Sequence, residues 1–271
     1  MLKPLLLLGC GRMGSAMLKG WLKCGISAET ITVVEPNNDA ATHIKKQFNV
    51  ATVCSADELL STYSPATIVI AVKPQMMDSM LKSYQRFVGP NTVFLSIAAG
   101  KTLAYFETVL GPNAAIIRAM PNTPATVMRA VTVTTQNKNV TPQQQQNGKH
   151  LLEAIGDVFE IQDESQLDAV TALSGGGPAY VFLLVETLTK AGIKAGLPET
   201  LAADLARLTV SGTGEMLRQS DEHPSILRQN VTSPGGTTAE ALAVLMADDG
   251  WQPLMNEAIK NAAKRSRELA G

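Results

Sequence analysis

Three histidines, three cysteines and 4% aromatic residues leave this 271-residue chain poor in nucleophilic, metal-binding and stacking side chains. Cys10, Cys24 and Cys54 lie in the first fifth of the chain, odd in number and without metal-ligand spacing. That excludes a disulfide framework, gives no reason to expect a metal, and fits reduced thiols in a cytoplasmic protein. His43, His150 and His223 stand apart from every glycine-rich loop. No histidine–carboxylate relay of the kind an alcohol dehydrogenase uses is therefore suggested, and His223, beside Pro224, reads as part of a helix start. The formal charge of −1 leaves no electrostatic case for nucleic acid or an anionic membrane. No stretch approaches the roughly 20 apolar residues of a membrane span. Lys3 followed by leucines and Cys10 resembles a lipoprotein leader, but the run Leu5–Leu8 falls short of the roughly 7–15 apolar residues a leader needs.

What is present is aliphatic: 45% hydrophobic residues with few aromatics imply a core of Leu, Ile, Val and Ala. Leu5–Leu8 reads as a strand buried on both faces. It runs into Gly9, Gly11 and Gly14, spaced as Gly-x-Gly-x-x-Gly, and then into a helix over residues 15–23. The first glycine permits a tight turn, the second lets the backbone approach a pyrophosphate, and the third lets helix and strand pack closely. A second strand, Ile31–Val34, ends at Glu35, twenty-one positions after Gly14, where a ribose-binding acid belongs. Strand, glycines, helix, strand and acid in that order point to a dinucleotide site. The alternative is a βαβ unit whose glycines serve packing alone.

Strands and helices then alternate to about residue 161, which predicts a mostly parallel, doubly wound sheet. Ligands collect at the carboxyl ends of such strands. The loops 9–14, 35–37, 71–74, 98–100 and 120–124 are all expected there. Gln143–Gln146 reads as an exposed helix face. The pattern changes near Asp163, and from Gln166 onward only helical periodicity remains. The expected architecture is a Rossmann domain over 1–163 followed by an all-α domain over 164–271. Its helices are apolar on several faces, and a second copy of the chain would bury them, so a homodimer is expected. Within this half, Thr237 and Glu240 have capping-box spacing. Ser233–Thr238 would offer N–H groups and hydroxyls to a small carboxylate at a helix start. With no acid–base pair in view, the chemistry should ask little of side chains. Hydride transfer to an already protonated C=N bond fits that requirement.

Several stretches together resemble pyrroline-5-carboxylate reductases over essentially the whole length. They are residues 9–14, Ala71 to Pro74, Ser96 to Gly100, Arg118 to Pro124, Leu173 to Tyr180 and Val231 to Glu240. The resemblance implies NAD(P)H-dependent reduction of Δ1-pyrroline-5-carboxylate to L-proline, the last step of proline biosynthesis. It also implies a helical dimerisation domain whose dimers can assemble further. Carried over by motif, Gly9, Cys10, Gly11, Arg12, Met13, Gly14, Ala71, Val72, Lys73, Ile97, Ala98, Ala99 and Glu164 would line the cofactor site. Ser233, Gly235, Gly236, Thr237 and Thr238 would hold the substrate carboxylate. Thr238 would also meet the ring nitrogen as the catalytic contact, with Asn230 close by.

Two departures matter. Where the family commonly reads Ser-Gly-Ser-Gly-Pro-Ala-Tyr, this chain has Gly176 at the second serine, which removes a hydroxyl. Where NADPH users often carry hydroxyls and an arginine, it has Glu35, Pro36, Asn37 and Asn38. A carboxylate repels a 2′-phosphate, so NADH is the expected cofactor. Two other readings stay open. One is a β-hydroxyacid-dehydrogenase-like reductase using Lys190 or Lys194, or another imine reductase. The other is a non-catalytic dinucleotide-sensing protein.

Overall fold

The computed structural model describes residues 4–270; Lys3, named above in the leader-like pattern, lies outside them. Strand β1 (Leu5–Leu8) sits mid-sheet, with Leu5 and Leu7 entering one apolar layer and Leu6 and Leu8 the other. Each such leucine contributes about 2 kcal/mol of burial, before entropy is counted. β2 (Ile31–Val34) and β3 (Ala51–Val53) extend the sheet one way. β4 (Thr67–Ile70), β5 (Val93–Ser96), β6 (Ala115–Met120), β7 (Ala130–Gln136) and β8 (Gly156–Glu160) extend it the other. The order is β3-β2-β1-β4-β5-β6-β7-β8.

Pairing is parallel everywhere except between β6 and β7. The connection 121–129 holds only a tight turn over Thr123–Val127, too short for a crossover, so the chain must return antiparallel. Strands β1, β2, β4, β5 and β6 consequently end on one side, and the five loops expected at carboxyl ends share that rim. β7 and β8 end on the opposite side, where a small polar depression is lined by Thr134, Thr135, Gln145 and Glu160.

Helices α1 (Arg12–Lys23), α2 (Asn38–Phe48), α3 (Met77–Met80), α4 (Leu103–Leu110) and α5 (Pro142–Glu153) fill the connections. Met17, Leu18, Trp21, Ile44, Leu151 and Leu152 from α1, α2 and α5 cover one face. Met77, Phe106 and Leu110 cover the other, with Leu81 and Tyr84 from a 3-10 run. α1 lies very close to α5: Trp21 Nε1 donates to the Leu151 carbonyl at 2.8 Å. A Cβ on Gly20 would stand 2.6 Å from the Ala154 carbonyl oxygen. The glutamine run is not simply an exposed face. Gln144 is buried, closes a capping box with Thr141, and donates to the carbonyls of Pro90 and Thr92. Thr141 and Pro142 had set a helix start, which puts Gln144 at the third helical position and turns it inward.

After Glu160 the described chain is helical: α6 (Leu167–Val170), a π turn (Thr171–Gly175), α7 (Gly177–Lys194), α8 (Glu199–Gln219), α9 (Pro224–Asn230), α10 (Thr237–Leu245) and α11 (Trp251–Ala270). By packing, the chain divides into two compact units. The first takes everything through Gly175 together with the end of α11 from Ala262; the second is Gly176–Asn261. The change of periodicity near residue 163 precedes this division because α6 and the π turn, though helical, pack with the sheet. Leu167 and Ala172 are buried there, and Ser266 of α11 donates to Asp168 at 2.7 Å.

In the second unit only Ala202 and Ala206 are buried. Phe182, Leu208, Val244 and Leu254 each have more than 60% of their surface exposed. One expectation needs correction here. Within the helical run Glu164–Lys194, an 18-residue window with a mean hydropathy of 1.3 is, by length and composition alone, apolar enough to cross a membrane. Its glycines, serines and threonines interrupt the apolar positions, and its charges are Glu164, Asp168, Glu186, Lys190 and Lys194.

Candidate functional site

The strand order reverses between β1 and β4. A crevice at the carboxyl ends of a doubly wound sheet opens at such a point. Two loops meet there. Gly9, at φ 82°, takes a left-handed turn that side chains disfavour, and its N–H donates to the Val34 carbonyl at 3.0 Å. A Cβ on Gly9 would lie 2.7 Å from Val72 Cγ1, and one on Gly14 only 2.5 Å from the Gly9 carbonyl oxygen. Gly9, Gly14, Ala71 and Val72 are therefore in mutual contact. Gly11 differs: a Cβ there would meet nothing within 4 Å, so its backbone faces open space.

Gly11 is also the N-cap of α1, with no side-chain cap and no acid in the first turn. The first intrahelical bond is Ser15 N–H to the Gly11 carbonyl at 2.8 Å. The N–H groups of Gly11, Arg12, Met13 and Gly14 thus lie at the positive end of a twelve-residue helix with no helical acceptor. That is an anion receptor by construction. Ser15 turns its hydroxyl back to the Cys10 carbonyl at 2.9 Å, which steadies the loop. Burial pushes the Cys10 thiol upward, the Ser15 contact opposes this, and the charge of Glu35 adds to the rise. Glu35 is placed by its N–H bond to Val53 O at 2.9 Å. Its Oε1 accepts the Asn37 N–H at 3.2 Å, and Asn37 in turn caps α2 through Ala40.

The neighbouring loops follow from continued sheet pairing. Ala71 N–H donates to Leu8 O at 2.9 Å and Ile97 N–H to Ile70 O at 3.1 Å. Ala98 is buried, Ala99 exposed, and Lys73 exposed at the start of the turn Pro74–Met76. Glu164 reaches the same rim. Its Oε1 accepts Leu103 N–H at 2.8 Å and Arg118 Nη1 at 2.7 Å. Arg118 is nearly buried, and sequence reasoning gave it no role. The available signal was a lone charge inside the apolar strand Ala115–Met120, which must find a partner. Asn122 was missed in the same way. Its Oδ1 accepts Val131 N–H, while its Nδ2 donates to Ser174 O, fastening the loop after β6 to the π turn. Gly175 packs there too, since its Cβ would lie 2.8 Å from Met120 Cε.

In the second unit, Gly235 adopts φ 67° and Gly236 N–H donates to Ser233 O at 3.0 Å. α10 then begins at Thr237 with Gly236 as its N-cap and no side-chain cap. The capping box expected between Thr237 and Glu240 is therefore absent. Thr237 is the first helical residue rather than the cap, because the Gly235 turn lets Gly236 take that position. The correction leaves a receptor. Thr237 and Thr238 N–H precede the first helical donor, Ala239, which bonds to Gly236 O at 3.1 Å. Ser233 is exposed and Thr238 half-buried beside them, and Asn230 ends α9. Gly176 caps α7. Lys190 and Lys194 are exposed near the end of that helix. His223 caps α9 through Ser225 N–H, the structural role its place beside Pro224 had suggested.

Comparison with known proteins agrees with this layout. Residues 164–269 match the model described as pyrroline-5-carboxylate reductase dimerisation. Residues 5–100 match that of coenzyme F420-dependent NADP oxidoreductases. A pyrroline-5-carboxylate reductase of Synechocystis is 39% identical over 265 residues, 97% of each chain. That of Escherichia coli is 34% identical over 264 residues, again 97% of each. The solved reductase of Coxiella burnetii superposes with a TM-score of 0.93 at 30% identity, covering 100% of both chains. That of Plasmodium falciparum, solved with NADP bound, gives 0.83 at 31% identity over 100% of this chain and 99% of its own. With a doubly wound sheet, an open glycine loop at its switch point and a helical half that all match along the full length, the chain belongs to the pyrroline-5-carboxylate reductase family.

Proposed function

We propose that the protein reduces Δ1-pyrroline-5-carboxylate to L-proline with a reduced nicotinamide dinucleotide. The carrying observation is the anion receptor at Gly11–Gly14, open at Gly11 and set where the strand order reverses. A dinucleotide fits the residues there: four N–H groups for the pyrophosphate and Glu35 for a ribose hydroxyl. Ala71, Val72, Lys73, Ile97, Ala98 and Ala99 supply the remaining wall, and Glu164 borders it. The bound nicotinamide supplies hydride to the imine carbon. The chain's own task is to orient the reactants. Ser233, Gly235, Gly236, Thr237 and Thr238 are assigned to the substrate carboxylate, Thr238 also to the ring nitrogen, with Asn230 close by in the substrate site. Thr238 then steadies the nitrogen while the carbon gains hydrogen.

The decisive assay is loss of nicotinamide absorbance on adding pyrroline-5-carboxylate. No turnover with either nicotinamide would overturn the reading and leave a dinucleotide-sensing protein. Thr238→Ala should raise the pyrroline KM and lower kcat while leaving cofactor affinity intact. A Lys190→Met enzyme with normal turnover would dispose of the β-hydroxyacid-dehydrogenase alternative.

The cofactor preference we infer is NADH. The Glu35 carboxylate is held by Asn37 N–H at the end of β2, and a 2′-phosphate beside it would be repelled. The P. falciparum enzyme was solved with NADP, so the inference rests on Glu35 alone; a higher kcat/KM with NADPH would refute it. The exposed apolar helices of the second unit are assigned to a homodimer, able to assemble further, in the cytoplasm. Elution as a monomer at micromolar concentration, or recovery with membranes, would count against that assignment.

A further inference from the structure

Of the ion pairs among the described residues, Arg218–Glu215 and Arg265–Glu268 lie within single helices, and only Lys101–Asp78 and Arg118–Glu164 join different elements. Both joining pairs stand at the cofactor rim, and both grip the segment that follows β5. Arg118–Glu164 holds it through Leu103 N–H. The other grip is a three-membered cluster. Tyr105, in the first turn of α4, donates its hydroxyl to Asp78 Oδ1 of α3. Lys101 lies 3.7 Å from the same oxygen, and its ammonium sits 4.0 Å above the Tyr105 ring. Tyr105 packs edge-on against the buried Phe106, and the buried Met77 precedes Asp78. Each end of the cluster is thus rooted in the core.

The placement gives the cluster a role. Asp78 stands five residues beyond Lys73, at the end of the β4 loop. Lys101 directly follows Gly100, at the end of the β5 loop. Each loop leaves its strand beside its neighbour, since β4 and β5 pair in register from Thr67↔Val93 to Ile70↔Ser96. Beyond that register the pairing continues only through Ile97 N–H to the Ile70 carbonyl, which leaves the outer parts of the two loops unpaired with each other among the described backbone bonds. Resting on the cofactor reading above, we propose that Tyr105, Asp78 and Lys101 are positioning residues. They clasp the β4 loop (Ala71–Lys73) to the β5 loop (Ile97–Ala99) and so set the width of the slot that receives the nicotinamide half of the cofactor.

The test is the Tyr105→Phe enzyme, which keeps the ring, the cation above it and the Lys101–Asp78 pair while removing one hydroxyl. The KM for NADH should rise about five-fold, roughly the weight of one exposed charge-assisted hydrogen bond. The kcat, the pyrroline KM and the melting temperature should stay near wild type. Asp78→Asn should behave alike, and the double variant should be no worse than either single one, because all three break one unit. Asp78→Glu should recover part of the loss. Unchanged cofactor KM in Tyr105→Phe, additive effects in the double variant, or a KM rise accompanied by a clear fall in melting temperature would each overturn the clasp. Gly11→Ala separates this failure from failure of the site itself: if it weakens NADH while Tyr105→Phe does not, the slot stands without the clasp.

Discussion

Two alanine substitutions three residues apart should separate folding from binding. At Gly14 a methyl carbon would stand 2.5 Å from the Gly9 carbonyl oxygen and 3.6 Å from Ala71 Cβ. The first of these is backbone and belongs to a turn fixed by the Gly9–Val34 bond, so it cannot swing aside. Relief requires α1 to back away from β1, which costs about 1–3 kcal/mol as in other overpacked sites, or ~3–10 °C in Tm for a protein of this size. At Gly11 the same methyl meets nothing within 4 Å, and the residue's φ of −68° suits any side chain. The only fold cost is a poorer N-cap, roughly 0.5 kcal/mol. The methyl would instead occupy the space through which a pyrophosphate approaches the N–H groups. Gly11→Ala should melt within ~2 °C of wild type and bind NADH at least about ten-fold more weakly, about 1.4 kcal/mol. Thermal unfolding by circular dichroism and NADH fluorescence titration read the two quantities separately. A Gly11→Ala protein that binds NADH normally would show that the phosphates lie elsewhere. A Gly14→Ala protein of unchanged Tm would show that the turn is looser than its geometry implies.

Other outcomes follow from single contacts. Met128 holds a left-handed conformation at φ 56°, so Met128→Gly should stabilise by about 0.5–1 kcal/mol, read as a higher denaturant midpoint. Arg118→Met removes the partner of Glu164, whose side chain keeps 28% exposure. Partial hydration limits the loss to about 2 kcal/mol, below the figure for a fully buried pair, and urea unfolding should report it. Burial and the Glu35 charge raise the Cys10 thiol, whereas Cys24 is exposed. The reactive thiolate at Cys10 therefore forms only as pH climbs above the ordinary thiol range. Iodoacetamide at pH 7.5 should label Cys24 first, and NADH should protect Cys10 further, as peptide mass mapping would show.

Much of the first unit was legible because its signals are local. Leu5–Leu8 could be read as doubly buried from its unbroken apolar run, and the glycine spacing named the turn that Gly9 now makes at φ 82°. The carboxyl-end rim followed from alternation alone. What escaped were pairings between distant positions. Nothing near Arg118 announces Glu164, forty-six residues on, and nothing near Asn122 announces Ser174. Gln144 was lost to its neighbours, since a run of four identical residues hides which one turns inward. The capping box failed for a different reason. Thr237 and Glu240 have the right spacing, but Gly235 and Gly236 together make a better turn, and backbone freedom took precedence over a side-chain bond.

The second unit shows where reading by composition succeeds and reading by contact does not. Its periodicity gave helices in the right places, yet a helix pattern says only that a face must be covered, never by what. Within Gly176–Asn261 the covered side chains are two alanines, far too little apolar burial to offset the ordering of a segment of that length. Under the proposed dimer the missing core is supplied by the other copy, and folding of this unit becomes inseparable from association. That gives the substrate-side loop a constraint no single chain carries. The glycines at 235 and 236 and the uncapped threonines at 237 and 238 lower the intrinsic stability of α10, so the energy that keeps their N–H groups aligned must come from packing of the helix behind them. Val244, on that helix and 73% exposed in one chain, is where such packing would have to be made. Association and substrate affinity should then fall together when this face is made polar, as in Val244→Asp read by gel filtration and by the pyrroline KM, even though Val244 lies six residues beyond Thr238 on α10.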